Sequence, residues 1–340
     1  GSGPYNGPKP VPVGSQLSKV LNDADLNHEA WVNAKVDSSA KSGPMADILN
    51  DADGYTIAQQ AMQQIQSQAS AITMHLRRAL KTAAKTRYKS GRQDGKIDSS
   101  KIAIATMGSL DYHRRKIKGD DIDTAVSILV DCSGSMDGHP LNICQQMALA
   151  LEGALNGTKI KHEIIGFTTG DPDHADPAFQ TMMQAHKNNG DTGHFRAINL
   201  YEFRSFGQSH NDALRSIGNM TLIPTGGTPT SDSMLLAHDR LARRSEKRHV
   251  MFVLTDGASD DTEACQEAVA SLEACNVTVI GVGICSDHVR EEFKHHVVIN
   301  DISDLPAAMM SKITGILLGE KHLVALSGKQ ADKARRRSAT

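Results

Sequence analysis

The spacing of hydrophobic positions divides the chain into a C-terminal part of short apolar runs and an N-terminal part that is mostly polar. From about residue 121 onward, short apolar runs alternate with amphipathic segments of helical period. Strands are predicted near residues 124–130, 160–167, 197–204, 249–255, 277–284 and 296–299. Helices are predicted near residues 140–155, 209–219, 230–244, 261–275, 287–293 and 303–318. Since strictly alternating strands and helices form parallel sheets, the pattern predicts an α/β fold with a doubly wound, mainly parallel six-stranded sheet.

The residues that precede this pattern predict an irregular arm and then a helical extension. Residues 1–54 are rich in Pro, Gly, Ser, Asn and Asp, which predicts an irregular arm. Residues 55–120 form a helical extension and connector, with one long helix expected over 55–89 and a short one near 99–107. The long helix is predicted from apolar residues at three- and four-residue spacing, namely Ala58, Ala61, Ile65, Ile72, Leu76, Leu80 and Ala83. The α/β domain is expected over residues 121–319, followed by a basic tail at 320–340.

Two nearly identical segments lie in the N-terminal part of the chain. Val20–Asp25 and Ile48–Asp53 share the sequence Leu-Asn-Asp-Ala-Asp after a β-branched residue. Because Asn and Asp cap helices well, both segments are interpreted as helix starts. The alternative is a pair of duplicated docking peptides.

Composition excludes several classes of function. The 340 residues carry a net charge of −2 and only 4% aromatic residues, so neither electrostatic attraction to nucleic acid nor base stacking is expected. No run of eighteen apolar residues and no signal peptide is evident, and the five cysteines lack a Cys-x-x-Cys spacing. We therefore expect a cytoplasmic protein with reduced thiols. Three histidines between residues 170 and 194 (His174, His186 and His194) have no zinc-site spacing and are expected in a surface loop.

The candidate chemistry is concentrated where predicted strands end. Asp131-x-Ser133-x-Ser135 follows the first strand and places a carboxylate and two hydroxyls at alternate positions. Thr228 lies in a glycine-rich loop, and Asp256 follows a later apolar strand. In an open parallel sheet, ligands bind at the carboxyl ends of strands. Oxygen ligands of this kind suit Mg²⁺ or Mn²⁺.

This ligand pattern resembles the metal-ion-dependent adhesion site, or MIDAS, of von Willebrand factor A (VWA) domains. The chain is most similar to the VWA domain of the CobT subunit of cobaltochelatase, over roughly residues 95–318. The likeness is carried by the segments at residues 129–140, 164–169, 237–241, 256–261, 280–284 and 297–301. The resemblance implies that Asp131, Ser133, Ser135, Thr228 and Asp256 bind the metal.

The same resemblance implies a non-catalytic subunit that acts with an AAA+ ATPase ring similar to CobS. The expected role is chaperone-like, in metal insertion into a tetrapyrrole, with a chelatase large subunit or another protein as the client. The 340 residues contain no Gly-x-x-x-x-Gly-Lys-Ser/Thr phosphate-binding loop, so ATP hydrolysis is assigned to the partner. The alternative is a stand-alone adhesion or scaffold protein that binds a partner carboxylate through the metal.

An enzymatic interpretation is less favoured. Asp131 at a strand end resembles the nucleophile of haloacid-dehalogenase phosphatases, which need a second acid two residues later for proton transfer. That position is Ser133, which cannot act as a general acid near neutral pH. A Gly-x-Ser-x-Gly nucleophile motif is also absent from the sequence.

Overall fold

The computed structural model describes residues 44–84, 87–94, 96–99, 113–117, 123–171, 197–223 and 225–308, with a few isolated positions between 111 and 184. The first elements are α1 (Pro44–Asn50), α2 (Asp53–Gln64), α3 (Gln66–Ala84), β1 (Arg87–Arg92), β2 (Lys96–Ile97) and β3 (His113–Ile117). They are followed by β4 (Thr124–Asp131), α4 (His139–Leu155), β5 (Lys161–Thr169), β6 (Ile198–Arg204), α5 (His210–Gly218) and α6 (Thr230–Ala242). The last are β7 (Arg248–Thr255), α7 (Thr262–Ala274), β8 (Val277–Ile284), α8 (Val289–Glu292), β9 (His296–Ile299) and α9 (Leu305–Ala308).

Six of these strands form one sheet in the order β6-β5-β4-β7-β8-β9. Strand β4 pairs in parallel with β5 and β7, and β7–β8 and β8–β9 are also parallel. Only the edge strand β6 is antiparallel to its neighbour β5. The first strand of this sheet in the sequence, β4, is central, and later strands lie on both sides of it. A topological switch point therefore lies beside β4.

Helices cover both faces of this sheet. Every residue of β4 is buried, as expected for a central strand with helices on either side. One core cluster joins Leu129 of β4 and Met251 of β7 to residues of α6 and α7, and it contains no residue of α4 or α5. Because alternate side chains of a strand point to opposite faces, α4 and α5 cover the other face. The fold class predicted from the sequence is confirmed.

All six strands of the α/β domain were predicted from the sequence to within two residues. The helices after β4, β6, Pro229 and Thr255 also match their predicted positions. Helix α9 is described only to Ala308, so the rest of the predicted helix 303–318 lies outside the described residues, as do residues 1–43, most of 170–196 and the tail from 320. No helix within the described ranges is long and apolar enough to cross a membrane.

The N-terminal prediction differs from the structure in two places. Residues 44–50 and 53–54, expected in an irregular arm, are helical because tertiary packing orders them, with Leu49 only 6% exposed. The single helix expected over 55–89 is interrupted at Ile65, where the backbone leaves helical geometry (φ −102°, ψ 17°).

The same helix was also predicted to extend too far toward the C-terminus. It ends at Ala84, and strand β1 follows. The periodic apolar positions stop at Ala83, so only the residues' intrinsic propensity favoured a helix beyond it. Antiparallel pairing of β1 with β3, from Arg87–Ile117 to Arg92–His113, satisfies the backbone instead. Residues 113–116, which are all basic or histidine and belong to the predicted connector, therefore lie in a small three-stranded sheet in the order β1-β3-β2.

The second copy of the repeated segment, Ile48–Asp53, packs on the end of α5. The Asn219 side-chain amide donates hydrogen bonds to the backbone oxygens of Asp51 (3.0 Å) and Leu49 (3.5 Å). Gly54 lies against Gly218, and a Cβ added at Gly54 would stand 2.3 Å from the Arg215 backbone oxygen. The segment spans the end of α1 and the start of α2 at Asp53, where Ala52, and not Asn or Asp, is the N-cap residue. The alternative of duplicated docking peptides stays a prediction. The first copy lies outside the described residues.

Substitution of Gly54 by alanine is expected to loosen α2 from the domain. The new methyl group would meet the backbone of α5, which cannot move aside cheaply, so we expect a loss of about 1–3 kcal/mol in the free energy of unfolding. Urea unfolding monitored by circular dichroism measures it. The matched control is Gly153→Ala in α4, where the added Cβ would only touch the Met62 Cε at 3.8 Å. Equal stability of the two variants would contradict the proposed close packing.

Candidate metal centre

Three loops meet at the carboxyl end of the central strands. Strand β4 ends at Asp131, and its neighbour β7 ends at Thr255, immediately before Asp256. Ser133 forms an isolated parallel bridge with Gly226, which brings the glycine-rich loop beside the turn that follows β4. The predicted site residues therefore come from three separate parts of the chain and meet at one edge of the sheet, as the switch-point rule anticipates.

The turn after β4 links four of the predicted ligands through hydrogen bonds. Asp131 Oδ1 accepts a hydrogen bond from the Ser133 backbone N–H (2.8 Å), so the carboxylate braces its own turn. The hydroxyl oxygens of Ser133 and Ser135 lie 3.1 Å apart. Ser135 in turn donates to Asp256 Oδ1 (2.8 Å). Side chains 121 residues apart in the sequence are thus in direct contact.

Hydrogen bonds at Gly226 and Gly227 hold the loop that carries Thr228 in place. Gly134 N–H donates to the Gly226 oxygen (2.7 Å), which ties the loop to the turn after β4. The Gly227 N–H donates to Thr169 Oγ1 (2.8 Å), and Thr168 Oγ1 donates to the Gly227 oxygen (3.0 Å) at the end of β5. A Cβ at position 226 would stand 2.7 Å from Thr169 Oγ1, so only glycine allows this close approach.

Thr228 itself is held from a third direction. Its backbone N–H donates to Asp260 Oδ2 (3.1 Å), and its oxygen accepts from the Asp260 N–H (3.1 Å). Thr228 is 9% exposed and lies two residues after Gly226, which bridges to Ser133. All five predicted ligands therefore lie in loops at one edge of the sheet, and their binding of a metal stays a prediction.

Asp131 is a buried carboxylate, and burial dominates its electrostatics. Asp131 is fully buried. This burial, together with the nearby Asp256 charge, raises the pKa of its carboxyl group to about 6, although hydrogen bonds from Thr255 and Ser133 act to lower it. In the described part of the chain Asp131 forms no salt bridge with a basic side chain. A cation at this position would compensate the charge that burial disfavours.

The oxygen donors fit a small divalent cation. In an octahedral Mg²⁺ site with metal–oxygen distances of about 2.1 Å, neighbouring ligand oxygens lie about 3 Å apart. The oxygen–oxygen distances from Ser133 to Ser135 (3.1 Å) and from Ser135 to Asp256 (2.8 Å) agree with that spacing. Within the described ranges no group of three or more His, Cys, Asp or Glu side chains is arranged to hold a metal. The candidate centre instead combines two carboxylates with three hydroxyls.

One side of the centre faces solvent. Ser135 is exposed and Asp256 is partly exposed, whereas Asp131, Ser133 and Thr228 are buried. The five candidate donors leave at least one of six coordination positions for water or an incoming ligand. An ion held here would thus be reached from the Ser135 and Asp256 side.

Sequence reasoning missed several residues that support the predicted ligands. Thr255 donates its hydroxyl to Asp131 Oδ2 (2.7 Å), and Thr168, Thr169 and Asp260 hold the glycine-rich loop. Thr255 immediately precedes Asp256, and Thr168-Thr169 ends an apolar strand, so polar residues at strand ends were the available indication.

Cys132 lies between two of the predicted ligands in the sequence. It is fully buried, with its thiol 3.4 Å from the Val130 oxygen, and burial raises its pKa. The three histidines between residues 170 and 194 lie outside the described residues.

The sequence profile described as "Cobalamin biosynthesis protein CobT VWA domain" matches residues 112–319, which is more than half of the chain. The chain belongs to the CobT VWA-domain family. The matched region includes all five predicted ligands and the whole six-stranded sheet. The family resemblance stated from the sequence is confirmed.

Solved structures similar to this CobT-family chain come from diverse sources. Manganese-loaded TRAP protein of Plasmodium vivax is 16% identical, with 55% of this chain and 72% of that chain covered and a TM-score of 0.39. Proximal thread matrix protein 1 of the mussel byssus, solved with a zinc-occupied MIDAS motif, is 14% identical over 57% of this chain and 46% of that chain, with a TM-score of 0.41. The conserved hypothetical protein BatB of Bacteroides thetaiotaomicron is 16% identical over 58% of this chain and 100% of that chain, with a TM-score of 0.39.

Proposed function

We propose that this chain is a non-catalytic, metal-binding subunit that recognises a partner protein through a divalent cation held by Asp131, Ser133, Ser135, Thr228 and Asp256. The observation that carries the proposal is the convergence of these five residues at one partly exposed sheet edge. The cation is Mg²⁺ or Mn²⁺, because all five donors are hard oxygens.

The protein residues have separable tasks in this proposal. Asp131 and Asp256 supply the negative charge, and the three hydroxyls of Ser133, Ser135 and Thr228 complete the set without adding charge. When bound, the ion supplies a Lewis-acidic position to which a carboxylate can coordinate. The open coordination position suits a hard oxygen ligand such as a carboxylate from another protein.

The proposed partner is an AAA+ ATPase ring similar to CobS. Membership of the CobT VWA-domain family supports it, as does the lack of a phosphate-binding loop in the 340 residues. The pair would act as a chaperone-like complex on a third component. Because the matching profile names cobalamin biosynthesis, we propose metal insertion into a tetrapyrrole by a chelatase large subunit as the process served.

Binding to the ATPase ring is expected to depend on Asp131. The purified chain would be mixed with a CobS-like ATPase from the same genome, with ATP and Mg²⁺ present, and complex formation followed by size-exclusion chromatography and calorimetry. Removing magnesium would also disable the ATPase, so the informative comparison is wild type against Asp131→Ala. We expect at least a tenfold weaker complex for the variant. Mutating even a residue that only hydrogen-bonds to a metal ligand costs about 10–100-fold in metal affinity.

The matched control is Asp137→Ala, which removes an exposed carboxylate from the same loop without touching a predicted ligand. Equal binding of the ATPase by wild type and Asp131→Ala would contradict recognition through the metal. A chain that binds metal and an acidic peptide but no ATPase would favour the stand-alone adhesion or scaffold function.

A further inference from the structure

Three consecutive residues after the Asp256 loop are each attached to a different element. Ser259 bonds to Glu292 of α8 through both its backbone N–H (2.8 Å) and its hydroxyl. Asp260 bonds to Thr228. Asp261 caps α7 by accepting from the Ala264 N–H (2.9 Å). Because its two neighbours are anchored, the position of Asp260 is set by the fold rather than by its own rotamer.

The attachment between Asp260 and Thr228 is made at two points. The Asp260 carboxylate accepts from the Thr228 N–H, and the Asp260 N–H donates to the Thr228 oxygen, both at 3.1 Å. A two-point contact restrains the orientation of a residue as well as its position. Thr228 is the one predicted ligand that lies neither at the end of β4, nor in the turn after it, nor directly after β7, so its placement depends most on such contacts.

Glu292 stabilises the loop that carries Asp260. It is 4% exposed, and its Oε1 accepts from Ser259 and from the Thr262 hydroxyl (3.2 Å). A buried carboxylate with three donors from one short loop makes that loop rigid. The loop in turn presents Asp260 to Thr228.

We propose that Asp260 is a positioning residue that holds Thr228 at the distance a small cation requires, and so makes the centre selective for Mg²⁺ or Mn²⁺ over Ca²⁺. The inference rests on the proposed metal-binding function. Mg²⁺ needs near-ideal octahedral geometry at about 2.0–2.1 Å, whereas Ca²⁺ accepts six to eight ligands at about 2.3–2.6 Å in looser arrangements. A fixed Thr228 therefore favours the smaller ion, and a loosened Thr228 reduces the penalty for the larger one.

Positioning is expected to outweigh the charge of Asp260. Its side chain is exposed, and solvent screens an exposed charge strongly. The hydrogen bond to the Thr228 N–H, in contrast, needs only an oxygen acceptor. Asparagine keeps such an acceptor and removes the charge, whereas alanine removes both, so the pair of variants separates the two effects.

The test is calorimetric titration of the full chain with Mn²⁺, Mg²⁺ and Ca²⁺ for wild type, Asp260→Ala and Asp260→Asn. For Asp260→Ala we expect about tenfold or greater loss of Mg²⁺ and Mn²⁺ affinity, as for other outer-shell partners, with a smaller loss for Ca²⁺. Asp260→Asn should keep the wild-type ratio of Mg²⁺ to Ca²⁺ affinity. The control Asp137→Ala removes an exposed carboxylate from the loop after β4 and should leave that ratio unchanged.

The outcomes distinguish the proposed metal binding from the positioning role of Asp260. If wild type binds none of the three ions, the proposed function fails before the inference is reached. If wild type binds and Asp260→Ala keeps an unchanged ratio of Mg²⁺ to Ca²⁺ affinity, the positioning role is refuted while the metal centre stands. A ratio that changes equally in Asp260→Asn and Asp260→Ala would assign the effect to charge and also refute it.

Discussion

Asp131→Ala is expected to abolish binding of divalent cations. The variant removes one of the only two carboxylates among the candidate ligands and the acceptor for both Ser133 N–H and the Thr255 hydroxyl. Loss of an outer-shell partner costs about 10–100-fold in metal affinity, so loss of a ligand that carries half of the site's charge should exceed that range. Calorimetry with Mg²⁺ and Mn²⁺ measures the affinity directly.

A second measurement separates lost binding from lost folding. Wild type should gain thermal stability when the cation is added, because a ligand that binds only the folded state shifts the unfolding equilibrium. Asp131→Ala should be folded in circular dichroism and show no such gain. Asp137→Ala, with its exposed carboxylate in the same loop, should behave as wild type. A cation-dependent stabilisation that persists in Asp131→Ala would place the ion elsewhere.

Glu152→Ala is expected to be strongly destabilising. Glu152 is fully buried on α4, and its carboxylate meets His162 Nε2 (2.7 Å), Arg204 Nη1 (3.0 Å) and His210 Nδ1 (2.7 Å). Removing it would leave a nearly buried arginine and a buried histidine without their acceptor. Loss of one partner of a buried ion pair costs about 3–5 kcal/mol, which urea unfolding at neutral pH would measure.

The same carboxylate predicts a pH dependence of stability. Burial acts to raise the pKa of Glu152, but the hydrogen bonds from His162 and His210 and the charge of Arg204 outweigh burial and lower the pKa below its usual 4.5. A lowered pKa in the folded state means that its stabilisation is complete above pH 4.5 and is lost as the pH falls through the folded-state pKa. The stability difference between wild type and Glu152→Gln should therefore shrink in acid.

An exposed ion pair provides the comparison for Glu152. Asp287 pairs with Arg290 at 3.3 Å, and its side chain is 70% exposed. Asp287→Asn should cost less than about 1 kcal/mol, since surface pairs contribute little. If Glu152→Ala were as mild as this control, the buried cluster would not hold α4, β5, β6 and α5 together as the contacts indicate.

The sequence by itself determined the architecture of the α/β domain and the identity of its candidate ligands. A buried strand is visible as a continuous apolar run, as in residues 125–130, and a helix as an apolar stripe, because both patterns are local consequences of burial. Parallel order then placed Asp131 and Asp256 at one edge without any coordinates. The ligand pattern and the family likeness followed from residues that stand at strand ends.

Only the tertiary structure decided which residues hold those ligands in place and how the N-terminal region folds. Asp260 and Thr228 are 32 residues apart, and Glu152 and His210 are 58 apart, so no local pattern indicates that they meet. The strand at Arg87–Arg92 and the helix at Pro44–Asn50 form because distant segments pair with them or bury them, against the local composition. Hydrophobic periodicity indicates which face of a single helix or strand is buried, whereas hydrogen bonds between loops depend on how the helices and strands pack together.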